Sequence, residues 1–140
     1  MQDVNWKLFP FLATLGFLRG CFEENLLRYF GGSAAIDQRS GMPTWFWIFL
    51  PLFAPVGTFL FIYFIENRLQ LPVLRWLMCN FVFSQEAGYS VGALGRGLIH
   101  QDFISTMNGI AAMVLSASIL FFASRYPKSA WKAERRFSWR

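Results

Sequence analysis

Two stretches of this chain run for 21 residues each without a charge. The first is Trp45 to Ile65, WFWIFLPLFAPVGTFLFIYFI, and the second is Phe103 to Ala123, FISTMNGIAAMVLSASILFFA. At 1.5 Å per residue, such a helix is about 31 Å long, enough to cross a hydrocarbon layer of roughly 30 Å. Soluble core helices rarely stay uncharged for that distance. The rest of the chain agrees. Charged residues make up 15% of it, against about 25% in an ordinary soluble domain. Seventeen Phe and six Trp in 140 residues exceed what one soluble core hides. That aromatic content excludes disorder, and two Cys exclude a disulfide framework. The expected fold class is an all-α integral membrane protein forming a single membrane domain over 1–140. It has transmembrane helices at 44–65 and 103–124, room for a third, and an N-terminal amphipathic helix at 10–30.

The two spans differ in texture. The first carries Trp45 and Trp47 at one end and Tyr63 at the other, where amphipathic rings favour the headgroups, and Glu66, Asn67 and Arg68 stop it. Pro51 and Pro55 lie inside it and predict a bend, with the freed carbonyls seeking a Thr hydroxyl or a neighbouring helix. The second span places Ser105, Gly109, Ala112 and Ser116 on one helical face, with Asn108 beside them. Small residues let two backbones approach closely, which in lipid is a main source of helix association.

Between residues 10 and 30, Phe11, Leu15, Leu18, Phe22, Leu26 and Tyr29 recur every three or four positions. Arg19 with Glu23, and Glu24 with Arg28, stand four apart and predict ion pairs on the wetter side. Such a helix is expected to lie at the interface or along a protein neighbour. Gly31 is the expected stop, followed by a loop to Gly41. Lys7 and the apolar run after it resemble a short signal core. Asp3 spoils the basic leader, however, and Arg19 sits where a cleavage box wants a small residue, so no cleaved signal is expected.

Residues 71–99 read two ways. Ser84, Gly88 and Gly92 are spaced by four, as in closely touching helices. A helix here puts Glu86 at membrane depth, with Arg75 snorkelling from one end. An isolated charge at the bilayer centre costs about 2.5–3.5 kcal/mol on insertion scales. The reading that avoids this cost, an interfacial or re-entrant segment, is preferred to a third span. A Glu86 inside the membrane is expected to be satisfied by a neighbouring chain or by interfacial water. Arg75 and Glu86, eleven positions apart, stand about 16 Å from each other along a helix and cannot pair directly.

The net charge of +5 resides in the tail at 125–140, where Arg125, Lys128, Lys132, Arg135, Arg136 and Arg140 face Glu134 alone. By the positive-inside rule this tail belongs in the cytoplasm or mitochondrial matrix, contacting anionic lipid or a partner rather than nucleic acid. The inventory for chemistry is thin. His100 beside Asp102 is the one His and a weak cofactor candidate. No metal, phosphate-loop or nucleophile motif is present. Cys21 and Cys79 suit reduced, buried thiols.

The expected function is therefore a non-catalytic accessory subunit of a multi-subunit membrane complex, bound to other membrane subunits and structural phospholipids and needing no cofactor. The natural host is a bioenergetic assembly (respiratory, ATP synthase or photosynthetic). The mitochondrial inner membrane is the first choice of location, ahead of a bacterial inner membrane or thylakoid. The alternative is a small homo-oligomeric channel or transporter using Glu86 and Arg96, with Arg75 as a further intramembrane polar group. An enzyme acting on lipid or quinone ranks last, for want of an acid–base pair.

Overall fold

A computed structural model describes residues 4–65, 68 and 71–125, together with the backbone but not the side chain of Pro72. The described residues are all-helical. Helix α1 runs Phe9–Ser40, α2 Thr44–Phe64, α3 Pro72–Trp76, α4 Phe83–His100 and α5 Phe103–Arg125. A six-residue π-helical stretch, Leu77–Val82, joins α3 to α4, so that 72–100 is one unbroken helical segment. Helices α2 and α5 are long and apolar enough to cross a membrane.

The helices stand in the order α1, α4, α5, α2, each packed on the next. Contacts between α1 and α4 rise together in number. Ala13 meets Gly88, Phe17 meets Gly92, and Glu24 pairs with Arg96, so these two helices are parallel. Helix α5 returns antiparallel to α4, with Gly97 against Thr106 and Leu94 against Gly109. Arg39 donates to Ser105 at 3.4 Å, which brings the start of α2 near the start of α5. Phe59 and Phe122 meet near the other ends of those two helices, ring centroids 5.2 Å apart. The path is thus up, down, up, down.

Glycine sets the closeness of α1 and α4. Gly16 and Gly20 are the buried residues of α1, and they lie on the backbone of α4. A Cβ on Gly16 would run into the Gln85 carbonyl, and one on Gly88 into the Ala13 carbonyl. Gln85 Nε2 then donates across the contact to the Leu12 carbonyl at 3.1 Å. At the lower end, Val4, Phe83 and Ile119 form an apolar cluster, joined by Phe9. Trp6, Phe9 and Phe83 form an aromatic group there, with centroids 5.5–6.4 Å apart. Asn5 N–H donates to Asn80 Oδ1 at 2.5 Å, tying the chain start to the π-helical stretch.

Several expectations are corrected. The stop expected at Gly31 falls one residue from the observed break, but the loop expected after it is helical. The backbone turns at Gly32, which adopts φ 64° and ψ −164°, and helix resumes through Ser40. That conformation belongs to glycine, and it lets the helix fold back on itself. Arg39 Nη2 lies 3.3 Å from Glu23 Oε2, whereas sixteen residues of straight helix would hold their backbones about 24 Å apart.

In α1, Phe11, Leu15, Leu18, Phe22, Leu26 and Tyr29 are exposed, while the buried Gly16 and Gly20 face the protein. In α2, Trp45, Ile48, Phe49, Leu52, Phe53 and Val56 are exposed as well. Helix α2 runs uninterrupted through Pro51 and Pro55. The Thr58 hydroxyl donates at 2.7 Å to the Ala54 carbonyl, not to the Trp47 or Pro51 carbonyls that the prolines free. Arg75 does not snorkel: it is buried and donates to the Ala123 carbonyl at 2.9 Å.

Candidate functional site: a charged seam beside an apolar cleft

The small-residue positions come together inside the chain. Ser84, Gly88 and Gly92 are buried on α4, the two glycines directly against α1. Ser105, Gly109, Ala112 and Ser116 are buried on α5, where Gly109 meets Leu94 and Ala112 clusters with Tyr89 and Ala93 of α4. Their close packing is spent on neighbours within the chain and does not mark an outer contact face.

Along the same seam run the charges. Glu86 sits one turn into α4 and points to α1, where Arg19 Nη2 approaches its Oε1 to 2.6 Å. The Arg19 guanidinium also lies over the Tyr89 ring, 4.4 Å from its centroid. One turn further along, Glu23 Oε2 accepts from the Tyr89 hydroxyl at 2.8 Å and from Arg39 at 3.3 Å. Glu24 pairs with Arg96 through Oε2 and with Arg28 through Oε1, the latter at 3.0 Å. Arg39 continues to Ser105, whose hydroxyl donates to Asp102 Oδ2 at 2.5 Å. A chain of opposite charges and hydroxyls thus stitches α1 to α4 and reaches the start of α5.

Two expectations change here. Arg19 and Glu23 do not pair with each other: Arg19 turns to Glu86, and Glu23 to Arg39 and Tyr89. Glu86 finds a partner within its own chain, Arg19. Arg75 donates to the Ala123 carbonyl of α5, and Arg96 is engaged by Glu24. The signals that could have exposed the α1 half were present. Gly16 and Gly20 form a small-xxx-small pair, and Glu23 and Glu24 stand one turn beyond Arg19, while Glu86, Tyr89 and Arg96 follow at spacings of three and seven across from them.

Asp102 closes the α4–α5 link. Gln101 takes the left-handed conformation at φ 53°, and the Asp102 N–H donates back to the Gly97 carbonyl at 2.9 Å. Its carboxylate then caps α5, with Oδ1 accepting from the Ile104 N–H at 3.0 Å. Burial pushes this carboxyl upward, but hydrogen bonds from Ser105 and Ile104 and the charge of Arg39 outweigh it and hold it below the ordinary 3.8. His100 ends α4 in an exposed position. No group of three metal-ligating side chains exists among the described residues. Cys21 and Cys79 are free thiols, Cys79 buried. Of the basic tail, only Arg125 lies among the described residues, with its guanidinium 5.1 Å from the Phe121 ring; Lys128, Lys132, Arg135 and Arg136 lie outside them.

Because α1 and α2 stand at opposite ends of the row, a cleft of about 1180 Å³ lies between them, floored by α4 and α5. Leu26, Phe30, Phe53, Phe61, Val82 and Leu115 supply most of its wall. Arg19, Glu23, Glu86 and Tyr89 form its polar edge, and Thr58 and Asn108 add single polar groups. Comparison with protein-family models, curated proteins and solved structures finds no match to this chain.

Proposed function

We propose that this chain is an integral membrane protein, crossing the bilayer as a four-helix bundle, and that it serves as a non-catalytic packing subunit of a larger membrane assembly. The observation that carries the reading is the set of ion pairs within α1, between residues 19 and 39, and from α1 to Glu86 and Arg96 of α4. Arg19 meets Glu86, Glu23 meets Arg39, and Glu24 meets Arg96 and Arg28. Ionisable groups at membrane depth are tolerated when they pair inside the bundle, and paired groups act as glue. Large apolar side chains facing outward with polar ones facing inward is the arrangement lipid demands. The same pairing speaks against the channel reading, since Glu86 and Arg96 are each held by an opposite charge. Outward aromatics such as Phe11, Tyr29, Trp45 and Phe49 offer the surface for lipid and partner subunits.

The test has two parts. Membranes containing the chain are washed with alkaline carbonate, and the chain is expected to stay in the pellet. Mild solubilisation followed by native sizing is then expected to show it migrating with several different chains, respiratory, ATP synthase or photosynthetic assemblies being the first to probe. Release by carbonate defeats the membrane placement, and a ring of identical chains defeats the subunit role. Glu86→Gln separates the alternatives further: it is expected to weaken the bundle, whereas lost ion or proton flux with the bundle intact would establish a channel.

A further inference from the structure

We propose that the cleft between α1 and α2 is a binding site for a neutral, long-tailed lipid whose head carries carbonyl oxygens, held with its tail along the apolar wall and its head at the Arg19–Glu86 edge. The size of the cleft suits a small molecule: ligand pockets measure about 300–1,000 Å³, and this one, at about 1180 Å³, sits just above that range.

Charge selects the head. The ionic groups at the edge are already matched: Arg19 by Glu86 and Glu23 by Arg39. A fully charged head would have to break one of these pairs or remain unpaired in a low-dielectric site, and either is costly. What the edge still offers is hydrogen bonding. Arg19 spends Nη2 on Glu86, yet its side chain is 42% exposed and a guanidinium carries five N–H donors. The Asn108 side chain lines the same cleft and makes no hydrogen bond to another described residue. Spare N–H donors facing an apolar cleft suit carbonyl acceptors.

Gly57 provides the means of testing this. It lines the cleft, and a Cβ built on it meets nothing within 4 Å, so a large side chain can fill the space without displacing the fold. The detergent-solubilised full chain is titrated, by native mass spectrometry, with a decyl-substituted benzoquinone and with dioctanoylglycerol as neutral carbonyl probes. Decyl phosphate and decyltrimethylammonium serve as the charged ones. At least one neutral probe is expected to bind about tenfold or more tighter than both charged probes. Gly57→Phe is expected to weaken that binding at least about tenfold with the thermal midpoint held, and Asn108→Leu to weaken it severalfold. Which neutral probe binds better distinguishes a quinone-type head from a glyceride. Equal or tighter binding of a charged probe overturns the inference, and so does unchanged binding in Gly57→Phe.

A photoreactive side chain at position 57 completes the test in native membranes. Crosslinks to lipid support the inference, and crosslinks to another polypeptide or to a second copy overturn it. The inference rests on the membrane placement. Carbonate release would remove that placement, whereas a carbonate-resistant chain that binds no neutral probe would remove only the ligand site.

Discussion

Asp102 is a small residue with several tasks. It caps α5, accepts from Ser105 and lies in the field of Arg39. Asp102→Ala is expected to cost about 1 kcal/mol, the usual loss for an N-cap, read as a lower thermal midpoint in detergent. Because its folded pKa lies below 3.8, the stabilisation is present in full above the unfolded value and is lost as pH falls through the depressed folded value. The gap between wild type and Asp102→Ala should therefore hold steady from pH 7 down to about 5 and narrow below about 4.

Glu86→Gln is expected to cost about 1–2 kcal/mol. That is less than the 3–5 kcal/mol of a fully buried pair, because Arg19 is 42% exposed. The double variant Arg19→Gln with Glu86→Gln should recover more than half of that loss, since it strands no charge; a double-mutant cycle measures it. Glu86 could be singled out from the sequence because a carboxylate in an apolar stretch needs a partner. Its partner, 67 positions away, was hidden by a nearer candidate, because Arg19 also stands four residues from Glu23.

Among the elements, α2 and α5 were legible because an uncharged run of that length reports itself. The role of α1 was not. Its Phe and Leu stripe is more conspicuous than Gly16 and Gly20, and in water the stripe would be the buried face. In lipid the preference inverts: large side chains suit the surroundings and small ones the helix contact. Gly88→Leu is expected to push α1 from α4 and cost about 1–3 kcal/mol or more, whereas Gly57→Ala, with open space around it, should be neutral or slightly stabilising. Thermal melts of the two variants make the comparison. The helix beyond Gly32 was missed because paired glycines commonly mark loops. Here one of them makes a sharp reversal that returns Arg39 to Glu23. Gly32→Val should cost about 1–3 kcal/mol and expose the 33–40 segment to protease.

The bundle taken together is a polar seam between α1 and α4 flanked by apolar side chains, with a cleft on the side where its row of helices fails to close. The helical class and two apolar helices could be read from the chain, because hydropathy and length act locally. The up-down-up-down path could not, because it depends on which helix answers the charges of α1. That dependence governs how the protein is made. Helix α1 emerges from the ribosome carrying Arg19, Glu23, Glu24 and Arg28, and the residue that neutralises Arg19 follows 67 positions later. At roughly 5–20 residues per second, translation takes on the order of 3–13 s to deliver it. On the membrane placement proposed above, α1 would have no partner for Arg19 in hydrocarbon during that interval, and would wait at the headgroups until α4 arrives to draw it in.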